Sequence, residues 1–219
     1  MPDIPCPLCG AASSVEFHRD RNRDYRRCGR CRLVYVPASQ HLSQDAEKAI
    51  YDLHRNQTDD PGYRCFLSRL AAPLQERLAP GASGLDFGCG PGPALAAMLS
   101  EAGYAVKLYD PIYAAHAALL LRQYDFIVCT EVVEHFRRPA EEFERIFGML
   151  RPGGYLGLMT KLVIDAAAFA RWHYKNDLTH IGFYSRDTLT WLADSYGCGI
   201  EFVAADAIIL RRNPDRYSD

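Results

Sequence analysis

Leu85-Asp86-Phe87-Gly88-Cys89-Gly90-Pro91-Gly92-Pro93 is a short apolar run that breaks into three closely spaced glycines, and a helix-forming segment opens at Ala94. Glycine has no Cβ, so its backbone amides can approach a ligand closely, and a strand turning through glycines into a helix N-terminus makes a nucleotide-cofactor site. The spacing is Gly-x-Gly-x-Gly. Pro93 stands where the dinucleotide fingerprint Gly-x-Gly-x-x-Gly needs its third glycine, which points away from a nicotinamide cofactor. An acidic residue, Asp110, closes the next apolar run.

Around this loop the chain has 219 residues, 48% of them hydrophobic, enough for one well-buried α/β domain with a small appendage. Lys and Arg number 25 against 27 Asp and Glu, a net charge of −2 that gives no overall field toward nucleic acid or membrane. No apolar run approaches the ~20 residues needed to span a bilayer, and Met1-Pro2-Asp3-Ile4-Pro5-Cys6 lacks the basic and apolar parts of a secretion signal. A cytoplasmic protein with no membrane partner is the expectation.

Four of the eight cysteines form Cys6-x-x-Cys9 and Cys28-x-x-Cys31, two pairs with eighteen residues between them and a neighbouring glycine each, Gly10 and Gly29. Each pair places two sulfurs on one side of a tight turn, so two turns complete a closed tetrahedron around a structural zinc ion. The metal would supply the core that so short a segment lacks. Cys65, Cys89, Cys129 and Cys198 are scattered and carry no redox pattern.

Three regions follow. Residues 1–37 read as a zinc ribbon with strands near Ser14–Phe17, Tyr25–Arg27 and Leu33–Val36. Residues 38–83 read as a helical cap or linker, with helices over Gln44–His54 and Tyr63–Leu78 and a kink or split at Pro73. Residues 84–219 alternate strands (Gly84–Phe87, Ala105–Tyr109, Asp125–Thr130, Tyr155–Thr160) with helices (Ala94–Ala102, Ala114–Arg122, Ala140–Leu150), the pattern of a mostly parallel sheet covered on both faces. A helix over Arg186–Tyr196 and an antiparallel hairpin of Glu201–Ala204 with Ala207–Arg211 end the chain.

From Leu85 to Leu210 the chain resembles class I S-adenosylmethionine-dependent methyltransferases of the small bacterial type. The resemblance rests on Asp86 to Gly92, on Asp110, on Tyr124 to Phe136 with its Glu131-Val132-Val133-Glu134-His135, and on Leu150-Arg151-Pro152-Gly153-Gly154. It implies a Rossmann-like α/β sheet, mostly parallel with the last strand antiparallel. It also implies S-adenosylmethionine held by Asp86, Gly88, Cys89, Gly90 and Gly92, by Asp110 on the ribose diol, and by Thr130 and Glu131. Only residues 111–123 separate Asp110 from Tyr124, so the family's third strand is expected to be missing. The adenine pocket would then be built by Ile112 or Tyr113 and the helical segment before Gly84.

Methyl transfer asks for a nucleophile held in line with the methyl and, where it carries a proton, a base. Glu134 and His135, just past a strand end, suit that task, or they cap the turn before Pro139. Trp172 to Tyr184 concentrates polar and aromatic chemistry after the last parallel strand, where acceptors bind in this fold. His180 is a second catalytic candidate, with His173, Tyr174, Asp177 and Tyr184 as acceptor contacts, although Trp172, Phe183 and Tyr184 also suit a core. Asp177 and His180 are too few for a metal site by themselves. Tyr51 and His54 share a helical face that either covers the site or packs.

Arg19, Arg21, Arg23, Arg26, Arg27, Arg30 and Arg32 crowd the ribbon, and could meet RNA phosphates, lie in solvent or dock onto the main domain. The leading expectation is methyl transfer to a small or carrier-linked acceptor with a purely structural zinc. The alternatives are an RNA or protein methyltransferase that reads through the ribbon, and a non-catalytic cofactor-binding scaffold.

Overall fold

Strand residues Phe126, Ile127, Val128 and Cys129 are all fully buried, as a near-continuous apolar run must be when a strand is covered on both faces. They lie in the middle of the molecule, a computed structural model that describes residues 5–53 and 57–214. The N-terminal part holds β1 (Ser14–Arg19), β2 (Asp24–Cys28) and β3 (Val34–Tyr35), followed by α1 (Gln44–Tyr51) and α2 (Pro61–Gln75). Next come β4 (Ser83–Phe87), α3 (Ala94–Glu101), β5 (Ala105–Tyr109), β6 (Tyr124–Thr130), α4 (Pro139–Met149) and β7 (Leu150–Met159). The chain continues through α5 (Ala166–Ala170), β8 (Gly182–Phe183), α6 (Arg186–Ser195), β9 (Cys198–Phe202) and β10 (Ala207–Arg212).

The main sheet has the order β5-β4-β6-β7-β10-β9. β4 runs parallel to β5 and β6, β6 parallel to β7, and β10 antiparallel to both β7 and β9. This is the expected Rossmann-like methyltransferase sheet, with its third strand missing and its last strand reversed. Side chains alternate across it. Ile127, Cys129, Leu156, Leu158, Ile208 and Leu210 pack with α4 and α6 on one face, while Phe126, Val128, Met159 and Ile209 pack with α2 and α3 on the other. Gly84 allows this density: a Cβ there would stand 2.1 Å from the Phe126 ring.

Two local expectations are corrected. Pro73 does not split its helix: α2 runs unbroken through it, since it lies in the last turn, and ends two residues later. The single lost backbone bond is outweighed by the buried stripe Leu67, Leu70, Ala71 and Leu74. Ala114–Arg122 forms no α-helix, only a 3₁₀ turn over Ala117–Leu121 with none of its residues buried, since no strand beyond β5 offers a surface to pack on. β5 is left as the edge, with Lys107 exposed on it, a feature that discourages further strand pairing.

β1, β2 and β3 form an antiparallel sheet whose fourth strand is β8, from the far end of the sequence. Cys6, Leu8, Cys28, Cys31, Leu33 and Tyr35 share one core with Leu85, Phe143 and Tyr184. The ribbon is thereby built into the main domain. Among the described residues no helix is long and apolar enough to cross a membrane.

Candidate active site and cysteine cluster

The four ribbon cysteines converge, with Sγ atoms within 4.8 Å of one another. Cys6 Sγ is 3.5 Å from Cys31 Sγ, and Cys9 Sγ is 3.4 Å from Cys28 Sγ, too far for disulfides and near the ~3.8 Å edge of a tetrahedron with ~2.3 Å Zn–S bonds. Each knuckle is set by backbone bonds. The Gly10 amide donates to Cys6 O at 2.9 Å, with Gly10 at φ +69°, and the Arg30 amide donates to Cys28 Sγ at 3.3 Å. Donor chemistry and spacing fit a zinc ion.

The second constellation lines a cavity of about 1140 Å³ at the carboxyl ends of β4, β5, β6 and β7. Asp86, Gly88, Cys89, Gly90, Gly92, Asp110, Thr130 and Glu131, the residues expected to hold a cofactor, all line it. Gly88 has φ +80°, and a Cβ on it would meet Val132 Cγ1 at 2.5 Å; Gly90 has φ +60° and faces open space. One glycine lets the loop pack downward, and the other leaves room above it. Asp86 is buried, with Oδ1 lacking a hydrogen-bond partner. Burial, reinforced by the nearby Asp110 charge, pushes its carboxyl up to about 7. A cationic group of a ligand would satisfy that oxygen. Burial also pushes the Cys89 thiol up to about 12, which keeps it protonated and unreactive.

Asp110 is held by three backbone amides, Gly90 to Oδ2 at 3.1 Å and Ile112 and Tyr113 to Oδ1 at 2.8 and 3.0 Å. These occupy most of the carboxylate's roughly four acceptor directions, so bonding to a ribose diol requires one amide to give way. Tyr113 lines the cavity and donates to Asp52 Oδ1 at 2.8 Å, tying the loop after β5 to the end of α1. Tyr63 and Phe66 of α2 line the same end, their rings stacked at 6.0 Å between centroids. Sequence reading missed them. The signal was present: they extend the Leu67-Leu70-Ala71-Leu74 stripe one turn beyond the sheet that the stripe covers.

At the other end of the cavity stand Tyr51, His135, His173, Tyr174, Asp177 and His180. The His135 and His180 rings are 4.7 Å apart, and Tyr51 packs edge-on against His135 at 5.3 Å. Tyr51 donates to Glu47 Oε1 at 2.8 Å. Asp177 Oδ1 accepts from the Thr179 amide at 2.9 Å and hydroxyl at 2.6 Å. Against the opposing effect of burial, these bonds and the two histidines hold its carboxyl below the usual range. His173 is exposed at the rim, 3.3 Å from Lys161 Nζ. His54 lies outside the described residues.

Two expected site residues stand elsewhere. Tyr184 is fully buried in the core and donates to Val133 O at 3.1 Å, away from the cavity lining, so its expected acceptor contact is replaced by a packing role. Glu134 is also fully buried, beneath the lining, where it accepts the Tyr174 hydroxyl. That hydroxyl lies 3.4 Å from Glu131 Oε2 as well. Burial, and their mutual repulsion in the case of Glu134, raise both carboxyls.

One ribbon arginine turns fully inward, while Arg19, Arg21 and Arg30 stay exposed. Arg23 is buried and donates to the carbonyls of Lys175, Asp177, Leu178 and His180 at 2.6 to 3.1 Å. Lys175 returns the link with an ion pair to Asp20 at 3.0 Å. Arg26 bonds Ser14, Arg19 pairs with Asp24, and Arg27 and Arg30 lie over Phe17 and Trp191.

No protein of curated function matches the chain by sequence. In fold it is similar to the 1,6-didemethyltoxoflavin-N1-methyltransferase of Burkholderia thailandensis, crystallised with 1,6-didemethyltoxoflavin and S-adenosylhomocysteine. That likeness has a TM-score of 0.53 at 15% identity, over 90% of this chain and 98% of that one. An O-methyltransferase family protein from Burkholderia thailandensis is similar with a TM-score of 0.50 at 14% identity, over 78% and 64% of the two chains. A family model described as a methyltransferase domain matches residues 59–201. With that match over most of its length, the chain belongs to the methyltransferase domain family.

Proposed function

We propose that the protein transfers a methyl group from S-adenosylmethionine to a small or carrier-linked acceptor held between the cofactor loop and the His135–His180 wall. One observation carries this reading: a single cavity joins the buried Asp86 and open Gly90 at one end to His135, His180 and Asp177 at the other. Its volume exceeds the ~300–1,000 Å³ of a usual one-ligand pocket, so cofactor and acceptor have room side by side.

When bound, S-adenosylmethionine supplies an already activated methyl group, so the protein's task is alignment and proton removal. Asp86 meets the cofactor's cationic end, and the Gly88–Gly92 loop admits its backbone-facing edge. Tyr63, Phe66 and Tyr113 flank the space left by the missing third strand and take the adenine. Tyr51 and Tyr174 confine the acceptor. Proton removal, where the acceptor needs it, falls to the cluster of Glu134, His135 and His180. The ribbon, closed by zinc, is structural: its Arg23 fixes the loop that carries Tyr174, Asp177 and His180.

An RNA acceptor is disfavoured because Arg23, Arg26 and Arg27 are engaged within the protein. The test is transfer of isotope-labelled methyl from S-adenosylmethionine to pooled small hydroxyl, amine and carbon acceptors, with total RNA as a parallel arm. The expected product is of low mass and disappears in His135→Ala and His180→Ala. Label entering RNA would overturn the small-acceptor reading.

A further inference from the structure

Beneath the acceptor end of the cavity, Glu134, His135 and His180 each offer one ligand atom, and these atoms lie within 4.8 Å of one another. Three atoms that close share a point no more than ~2.8 Å from each, against ~2.0–2.2 Å for carboxylate and imidazole bonds to a small divalent ion. Side-chain shifts well under the length of a bond close that gap.

The histidines are oriented as ligands are. His135 Nδ1 is 3.1 Å from Thr179 O, and His180 Nδ1 is 2.8 Å from Tyr174 O. A carbonyl oxygen only accepts, so each ring donates through Nδ1, and coordination of an ion would fall to Nε2. A backbone carbonyl behind the ring is the arrangement that fixes metal-bound histidines. The contacts around the carboxylate agree: Glu134 Oε1 takes the Tyr174 hydroxyl, while the fully buried Oε2 has no hydrogen-bond partner. Leaving such an oxygen unsatisfied is costly, and a cation satisfies it. Glu131, on the other side of the Tyr174 hydroxyl, also has a buried oxygen without a partner, Oε1. Asp177 Oδ2 is 3.8 Å from His180 Nε2.

We propose that Glu134, His135 and His180 bind one divalent cation at the acceptor end of the cavity, with Glu131 as a further carboxylate beside it. Two imidazoles and a carboxylate with open positions suit Mn²⁺, Fe²⁺ or Zn²⁺. The inference rests on the methyltransferase reading only for what the ion would do there: it would take a hydroxyl oxygen of the acceptor and ease loss of its proton to solvent water, the three ligands then holding the ion instead of acting as the base. The acceptor class is therefore a hydroxylated small molecule.

Electron paramagnetic resonance of Mn²⁺ added to the full chain carrying a single equivalent of zinc is the test, because the four thiolates of the ribbon take that zinc and do not favour manganese. The expected result is one bound ion per chain, with affinity falling at least tenfold in His180→Ala and Glu134→Gln and unchanged in His116→Ala, whose ring is exposed elsewhere. Echo-envelope modulation of the unmodified protein should show nitrogen coupling from imidazole, a readout that requires no variant to fold. Manganese that stays free, or binds without nitrogen coupling, overturns the proposal. S-adenosylhomocysteine titrated into the same samples separates the two readings: its binding without a manganese site removes the cation alone, and a manganese site without its binding removes the methyltransferase reading alone.

Discussion

The Arg23 guanidinium donates to the His180 carbonyl at 2.9 Å across 157 residues of sequence, so a ribbon residue holds the backbone of a cavity-lining histidine. Three more carbonyls of the same loop share that guanidinium. Replacing Arg23 by Met leaves these carbonyls without their donor. A destabilisation of about 3 kcal/mol is expected, in the range for breaking a buried charged group's hydrogen bonds. Amide hydrogen exchange should speed up over residues 174–180, and methyl transfer should fall while S-adenosylhomocysteine affinity stays within threefold. Equal loss of both functions would mean that the ribbon supports the whole domain rather than this loop.

Removing zinc should act through the same route. Cys6, Cys28 and Cys31 are buried in the core shared with the main sheet, so metal analysis should give one zinc per chain, and chelation or Cys28→Ser should lower Tm and expose residues 174–180 together with the ribbon. A chelated protein with unchanged Tm and unchanged exchange in that loop would remove the structural role.

Asp86 gives a pH signature. Its folded carboxyl is raised to about 7, above the ~3.9 of an unfolded Asp, so the folded protein binds the extra proton between these values. Stability from this group is therefore present below about pH 4 and lost as pH rises toward 7, on the order of 4 kcal/mol in all. Binding of a cationic cofactor group favours the ionised form, so cofactor binding near pH 6 should release a proton and binding at pH 8.5 should not. Calorimetry in buffers of different ionisation enthalpy reads this directly. Asp86→Asn should abolish the proton release; its persistence in that variant would assign it to another group.

The two loop glycines should separate in their effects. Gly88→Ala drives a Cβ into Val132 at 2.5 Å and strains a φ of +80°, so the fold should lose more than ~2 kcal/mol. Gly90→Ala strains φ +60° but meets only open space, so it should cost ~1 kcal/mol in stability and weaken S-adenosylhomocysteine at least tenfold. Thermal melts paired with titrations check both. Unaltered affinity in Gly90→Ala would place the cofactor elsewhere.

The parts of this molecule that local sequence determines were readable in advance. The Asp86–Gly92 turn, the two cysteine pairs, the alternating strands and the thirteen residues between Asp110 and Tyr124 each carry their meaning within a short window. Pro73 misled because a proline's effect depends on its distance from the helix end, which tertiary packing of Leu70 and Leu74 sets. What stayed hidden depends on distant partners. Nothing in β3 announces β8 as its neighbour, Arg23 reads as one of seven surface arginines, and His135 and His180 are separate candidates until the loop after β7 brings their rings to 4.7 Å. Tyr184 shows the converse, a residue of functional type whose hydroxyl is used to fix Val133 in the core.

The central claim is that the Asp86–Gly92 loop and Asp110 form a working cofactor site despite the missing third strand. Calorimetric titration of S-adenosylhomocysteine into the zinc-loaded protein, repeated with Asp110→Ala, tests it most directly. The account predicts one-to-one micromolar binding that is lost in the variant. No binding to the unmodified protein, or equal binding to both, would contradict it.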